Sequence, residues 1–224
     1  MGGSHDGNVD EAVGPVACQA CDLFGVCAPI NALPVASGLQ RCPTLRPLAR
    51  GEVLYRTGTP ARHLYAVRKG IVQSTAARTN GRRYAAALHV PGEVLGRESV
   101  VQGFHTHDAV AVTPAMICEL PLEPYLQPHR DLAPLRAAIE RLGPVRAGSV
   151  ARKGGMRERL EAFIAELAAK LRSRGIDTGF AVELRKRELA ELLGLRAFGR
   201  AGQSMQRGGS IRLHGHRVVL QKTT

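Results

Sequence analysis

Between Arg50 and Leu120 short apolar–polar runs alternate with turns marked by Gly, Pro and Asn. Gly51-Glu-Val-Leu-Tyr55 leads into a turn at Gly58-Thr-Pro60. His63-Leu-Tyr-Ala-Val67 alternates as a strand that ends at Lys69-Gly70. Ile71 to Ala77 and Arg83 to Val90 flank Asn80-Gly81, a pair suited to the positive φ of a hairpin turn. Pro91-Gly92 closes the second of these runs, and further strands are predicted over Ala109–Val112 and Ala115–Leu120. The stretch from Cys27 to Pro47 reads as irregular, because Pro29, Pro34, Pro43 and Pro47 break any long helix. Short strands at spacings of about ten residues predict a β-sandwich or jelly-roll barrel rather than βαβ units.

At Leu132 the period changes. Leu132, Leu135, Ile139 and Leu142 fall on one helical face, interrupted by Gly143-Pro144 and extended by Val145 and Val150. Such a helix either packs on its own barrel or pairs with a second copy of the chain. Beyond a hinge at Gly154-Gly155, Arg157 to Arg174 reads as a helix with Leu160, Phe163, Ile164, Leu167 and Leu171 on one side. Gly175 stops it. Phe180 to Leu184 alternates like a strand, Arg187 to Leu193 is a short helix closed by Gly194, and Arg196 to Gly209 is Gly-rich and basic. Ser210 to Leu220 holds two short strands around Gly215. Helix, strand, short helix, basic segment and hairpin in that order outline a winged helix-turn-helix.

Charge sharpens this picture. The 224-residue chain carries a formal net charge of +12, and residues 150–224 hold 16 Lys and Arg against 7 Asp and Glu. A basic excess favours nucleic acid, although it also suits a membrane surface. No apolar run approaches a membrane span. Residues 1–17 read as a flexible polar tail without a secretory signal. Five cysteines, three of them within ten residues, do not resemble a secreted disulfide framework. A reducing cytoplasm is the expected compartment.

Those three thiols form Cys18-Gln-Ala-Cys21-Asp-Leu-Phe-Gly-Val-Cys27. Close spacing lets them converge on a small inorganic core. Gly25 permits a tight bend, and Ala20, Leu23, Phe24 and Val26 supply an apolar wall. A four-thiolate site lacks one ligand, which must be Cys42 or Cys118. Spacing alone fits zinc and iron–sulfur equally. A thiol redox enzyme using Cys18 and Cys21 is disfavoured, because the pair does not open a helix in a βαβ setting. No catalytic triad, phosphate-binding loop or dinucleotide glycine motif occurs.

Gly51-Glu-Val-Leu-Tyr55, Gly58, Leu64-Tyr-Ala-Val-Arg-Lys-Gly70 and Pro91-Gly-Glu-Val-Leu-Gly96 resemble the opening strands and glycine turn of the Crp–Fnr transcription regulators. Met116-Ile-Cys-Glu-Leu-Pro121 is similar to the strand where the Fnr-type oxygen sensors place their distant cysteine. The resemblance runs from Cys18 to the end, about nine-tenths of the chain. It implies an α+β chain with a β-roll (jelly-roll) sensor domain of the cyclic-nucleotide-binding type over residues 18–130. A dimerisation helix over 131–153 and a winged helix-turn-helix over 154–224 would follow.

The same resemblance implies a [4Fe–4S] cluster on Cys18, Cys21, Cys27 and Cys118, with Cys42 left free; zinc, which the spacing also fits, is the alternative. It further implies a cluster-dependent homodimer, DNA and RNA polymerase as partners, oxygen or nitric oxide as effector, and no enzymatic activity. Cyclic nucleotide is not expected. Where a phosphate would approach, the chain reads His105-Thr-His107-Asp108, and a carboxylate there repels it. His105 and His107 read as solvated loop residues.

Two stretches depart from the family. The segment from Leu132 to Met156 is about one and a half turns shorter than the family's dimer helix. It also carries Gly143-Pro144, Gly148 and Gly154-Gly155, where an interior Pro costs about 3 kcal/mol and each Gly about 1. In the recognition segment, a two-residue deletion puts Arg196 at the family's Glu, Gly199 at its Ser and Arg200 at its Arg. Arg200 could still reach a guanine edge, with Arg207 also facing DNA. Arg185, Lys186, Arg187 and Arg217 are phosphate-contact candidates, or else a plain solvated face. Gly199, Gly202, Gly208 and Gly209 weaken the helix, so the segment either orders on DNA or reads no sequence.

Overall fold

The computed structural model describes residues 16–25, 27, 44–77, 83–122, 137, 155–176, 181–193, 195, 206 and 211–221. Eight antiparallel strands form two four-stranded sheets. One has the order β1 (Thr44–Leu48), β8 (Ala115–Pro121), β3 (His63–Lys69), β6 (Val94–Leu95). The other runs β2 (Val53–Tyr55), β7 (Asp108–Ala111), β4 (Val72–Ala77), β5 (Arg83–His89). Leu54, Tyr65, Val67, Val72, Leu95, Ala109 and Ile117 fill the space between them. This is the expected sandwich, and the alternation that predicted it is the alternation that packs it.

β3 and β8 are buried on both faces. Tyr65, Val67 and Ile117 point into the sandwich. Leu64, Ala66, Cys118 and Leu120 point the other way and are covered by Leu23, Ala61 and Leu122. The outer face of this sheet is therefore the floor on which the N-terminal thiol loop sits.

Three local expectations change. Residues 44–48, read as irregular because of Pro47, are strand β1. It lies at the edge of its sheet, where a missing N–H removes no ladder bond. Val94 and Leu95, read as part of a turn, pair with Ala66 and Tyr65 as a short strand. Val16, placed in the tail, is 2% exposed, and its N–H donates to the Arg68 carbonyl at 3.0 Å. A helical turn not foreseen, α1 (Ser99–Gln102), follows β6 and ends at Gly103 with φ +76°.

The C-terminal unit has the predicted order of α2 (Met156–Ser173), β9 (Ala181–Arg185), α3 (Lys186–Leu192), β10 (Ile211–His214) and β11 (Arg217–Gln221). Its three strands form an antiparallel sheet in the order β10-β11-β9. Glu158 caps the start of α2 by accepting the Gly155 N–H at 3.0 Å. Gly175, at φ +70°, follows its end. Leu160, Phe163, Leu167 and Leu171 pack with Val182, Leu184, Leu189 and Val218, and the same core takes in Ile71, Leu88, Val90 and Val112 from the sandwich. The expected Asn80-Gly81 turn, the helix over 131–153 and the segment 196–205 lie outside the described residues, apart from Ala137.

Candidate functional site

The thiol loop enters from Val16 and makes a single 3-10 turn over Cys18–Ala20. The Cys21 N–H donates to Cys18 O at 3.0 Å and the Cys27 N–H to Leu23 O at 2.9 Å. Two turns in ten residues are what bring three thiols to one side. Leu23, 1% exposed, plugs the loop into the outer face of β3 and β8.

Cys18, Cys21, Cys27 and Cys118 all line one pocket with about 490 Å³ of space, part of it open to solvent. Val16, Leu23, Phe24, Ala66 and Val67 supply apolar lining. Of the apolar wall read from sequence, Leu23 and Phe24 serve, Ala20 does not line the pocket, and Val26 lies outside the described residues. Cys118 is opposite Ala66 in the β3–β8 register. A methyl group at that cross-strand position leaves the thiol uncovered on the pocket side. Cys42 lies outside the described residues.

Burial pushes the Cys118 thiol up to about 11, with Cys21 raising it further and Arg68 opposing. Cys21 is raised too, again chiefly by burial. Drawing thiolates from such a pocket needs a metal or another positive charge. Arg68 supplies such a charge: its Nη1 donates to Cys18 Sγ at 3.1 Å. Sequence reasoning missed Arg68, although period two along β3 puts residue 68 on the face of Leu64 and Ala66. Among the described residues, no three His, Cys, Asp or Glu side chains converge closely enough to hold a single metal ion.

The reading of His105 as solvated is overturned. It is 1% exposed, stacks on Tyr55 with ring centroids 3.8 Å apart, and shares a 2.9 Å hydrogen bond with Ser99 Oγ. A flat ring next to a tyrosine can serve as core once its nitrogen is satisfied. His107 is not freely solvated either; it is part-buried and lies 3.5 Å from Glu98. Asp108 is buried, and its Oδ1 accepts the Thr57 N–H at 2.7 Å.

Of the DNA-facing candidates, Arg187 is 89% exposed on its side chain and donates to Glu191 at 2.9 Å. Lys186 is half-buried at the start of α3, and Arg185 lies beside Glu188. Arg217 pairs with Arg185 across β11 and β9, so these cations share one end of the C-terminal sheet. Arg200 and Arg207 lie outside the described residues.

Residues 45–127 match the cyclic nucleotide-binding domain family. The chain is 24% identical over 219 residues to the fumarate and nitrate reduction regulatory protein of Salmonella typhimurium, covering 93% of this chain and 88% of that protein. It is 25% identical over 216 residues to electron transport regulator A of Shewanella oneidensis, covering 92% and 86%. Among solved structures, FixK2 of Bradyrhizobium japonicum aligns with a TM-score of 0.57 at 24% identity, covering 80% of this chain and 93% of that one. A CRP-family transcriptional regulator of Thermus thermophilus aligns with a TM-score of 0.56 at 23% identity, covering 79% and 92%. Residues 45–127 thus match the cyclic nucleotide-binding domain family, and the chain is similar over most of its length to the fumarate and nitrate reduction regulators and shares the fold of the Crp–Fnr regulators.

Proposed function

We propose that this chain is a DNA-binding transcription regulator whose sensor is a [4Fe–4S] cluster held by Cys18, Cys21, Cys27 and Cys118. The observation that carries the reading is that these four thiols, up to 100 residues apart in sequence, line one largely apolar pocket. Soft thiolates in an apolar pocket suit iron–sulfur better than a hard cation. Zinc would need four donors within about 2.3 Å of a single point. The described thiols line a common pocket without converging closely enough to hold a single ion, which favours a polynuclear core. Bound there, the cluster would supply iron and sulfide that react with oxygen or nitric oxide. Leu23 and Phe24 limit solvent access, and Arg68 offsets the charge of the thiolates.

Output would come from the C-terminal unit, with Arg200 and Arg207 facing bases and Arg185, Lys186, Arg187 and Arg217 facing phosphates. Residues 131–153 would pair two copies, and RNA polymerase would be the downstream partner in a cytoplasmic setting. Among the described residues, no helix is long and apolar enough to cross a membrane. Cyclic nucleotide is not the proposed effector, because the phosphate corner presents His107 and a buried, hydrogen-bonded Asp108. The relatives are named as regulators, and nothing in the pocket requires an enzyme.

The test is anaerobic purification with visible absorption and iron and sulfide analysis, on wild type, Cys118→Ser and Cys42→Ser. DNA affinity is measured before and after exposure to air. A brown wild type, a colourless Cys118→Ser and a brown Cys42→Ser are expected, with DNA affinity falling on oxidation. A colourless, zinc-loaded wild type would establish a zinc-stabilised interaction module instead.

A further inference from the structure

Arg174 stands at the C-cap of α2, in the C-terminal unit, 152 residues from Asp22 in the thiol loop. Its Nη1 donates to Asp22 Oδ1 at 2.6 Å and its Nη2 to Asp22 Oδ2 at 2.9 Å. The same Nη1 donates to the Ala20 carbonyl at 2.9 Å. Ala20 and Asp22 are the two neighbours of Cys21. One guanidinium therefore grips the chain on both sides of a thiol, through a carboxylate fork and a backbone carbonyl at once. Only Arg has the donors in a plane to do this; a Lys ammonium presents a point charge.

The surroundings confirm a fitted contact. The Asp22 N–H donates to Gly92 O at 2.9 Å. Gly92 has φ +91°, and a Cβ there would come within 2.9 Å of Ala20 O and 3.1 Å of Arg174 Cδ. Three segments cross at a point where only glycine fits. One turn back on α2, Lys170 Nζ lies 3.1 Å from Glu93, the next residue along. Positions 170 and 174 share a helix face. The end of α2 is thus tied to the thiol loop and to the β5–β6 turn together.

Resting on the iron–sulfur reading above, we propose that Arg174 is a positioning residue for Cys21, through which the C-terminal unit and the thiol pocket are directly coupled. Arg174 presents Cys21 to the pocket. Reciprocally, whatever the thiols bind tightens the docking of α2, since coupling free energy between two sites is mutual. This route does not pass through residues 131–153.

Hydrogen exchange measured by mass spectrometry on the full chain tests it, with Arg174→Gln, Arg174→Lys and Asp22→Asn. In the cluster-free protein, amides of residues 18–25 should exchange roughly fivefold faster in Arg174→Gln and Asp22→Asn, as expected for losing a partly exposed charged pair. Arg174→Lys should fall between, having charge without the fork, and β9 to β11 should keep wild-type protection in all three. After anaerobic reconstitution with ferrous iron and sulfide, residues 170–176 should exchange more slowly in wild type but not in Arg174→Gln. Unchanged loop exchange in both Arg174→Gln and Asp22→Asn overturns the proposal. Loosened loops with no effect of loading on residues 170–176 overturn the coupling and keep the positioning role. A wild type that takes up no cluster refutes the iron–sulfur reading, while the cluster-free comparison still decides the role of Arg174.

Discussion

Leu23→Ala isolates what holds the thiol loop on the sandwich. Leu23 is 1% exposed and packs with Leu64, Ala66, Val94, Leu120 and Leu122, beside Cys118. Truncation removes buried carbons worth about 0.8 kcal/mol each and leaves a cavity, for a total of about 2–5 kcal/mol. None of the side chains between the two sheets includes Leu23. The loss should therefore fall on local detachment of the loop more than on global unfolding. Polar anchors remain, among them the Val16 N–H on Arg68 O, the Asp22 N–H on Gly92 O, Arg68 on Cys18 Sγ and the Arg174 grip on Asp22 and the Ala20 carbonyl. Even the lower bound multiplies the detached population about thirtyfold. In anaerobically loaded protein mixed with air-saturated buffer, visible absorption should decay faster by about that factor. Leu54→Ala, which acts inside the sandwich, is the control: it should lower the urea midpoint and leave the decay rate alone. If Leu23→Ala instead lowers the urea midpoint and bleaches at the wild-type rate, Leu23 is ordinary core and the loop does not gate access.

Two further outcomes follow from buried groups. Gly70→Ala should lower stability by about 3 kcal/mol or more in urea titration, because φ is +80° and the added Cβ meets Pro114 O and sits 2.8 Å from Ala115 Cα, both backbone. His89 is buried, lies 3.0 Å from Ser74 Oγ, and is lowered to about 4, chiefly by burial. Its unfolded state takes up a proton near 6.5 while the folded state resists. Stability present above that pH should fall by about 3 kcal/mol as pH drops toward 4. His89→Gln should flatten this slope in urea titrations at pH 7 and pH 4.5, and an unchanged slope would mean that other groups carry it.

The sandwich strands were legible because alternation is a local signal, and each stretch from His63 to Leu120 carries its own turn residues. β1 was not, since Pro47 forbids a central strand and sequence does not reveal which strand will lie at an edge. Three thiols were legible from spacing; the choice of Cys118 over Cys42 came from the family resemblance, and only the paired β3 and β8 show why Cys118 faces the loop. His105 was misread because a loop histidine and a core histidine look alike until Tyr55 and Ser99 stand beside it. Arg68 and Arg174 were read only as part of a strand-like motif and as a helix end. Their partners, Cys18 and Asp22, are set by tertiary structure across 50 and 152 residues.

Magnitudes restrict how a signal at the thiols can reach the C-terminal unit. α2 and its strands share a core with Ile71, Leu88, Val90 and Val112 of the sandwich. Pulling them apart would expose those four side chains at about 1.5–3 kcal/mol each, before counting the faces of α2. Allosteric coupling between sites is typically about 1–3 kcal/mol. A thiol-site event cannot then undock the C-terminal unit wholesale. The polar ties are of the right size: Arg174 with Asp22, Lys170 with Glu93, and Arg50 with Glu183 and Glu188 at 3.6 and 3.9 Å, all partly covered. Each is worth about 1 kcal/mol or less when solvent reaches it. Shifting the end of α2 against the thiol loop exchanges those ties while the apolar face stays in place. The basic end of the C-terminal sheet would then move as a small rotation about a retained core, which is a change the proposed coupling can drive.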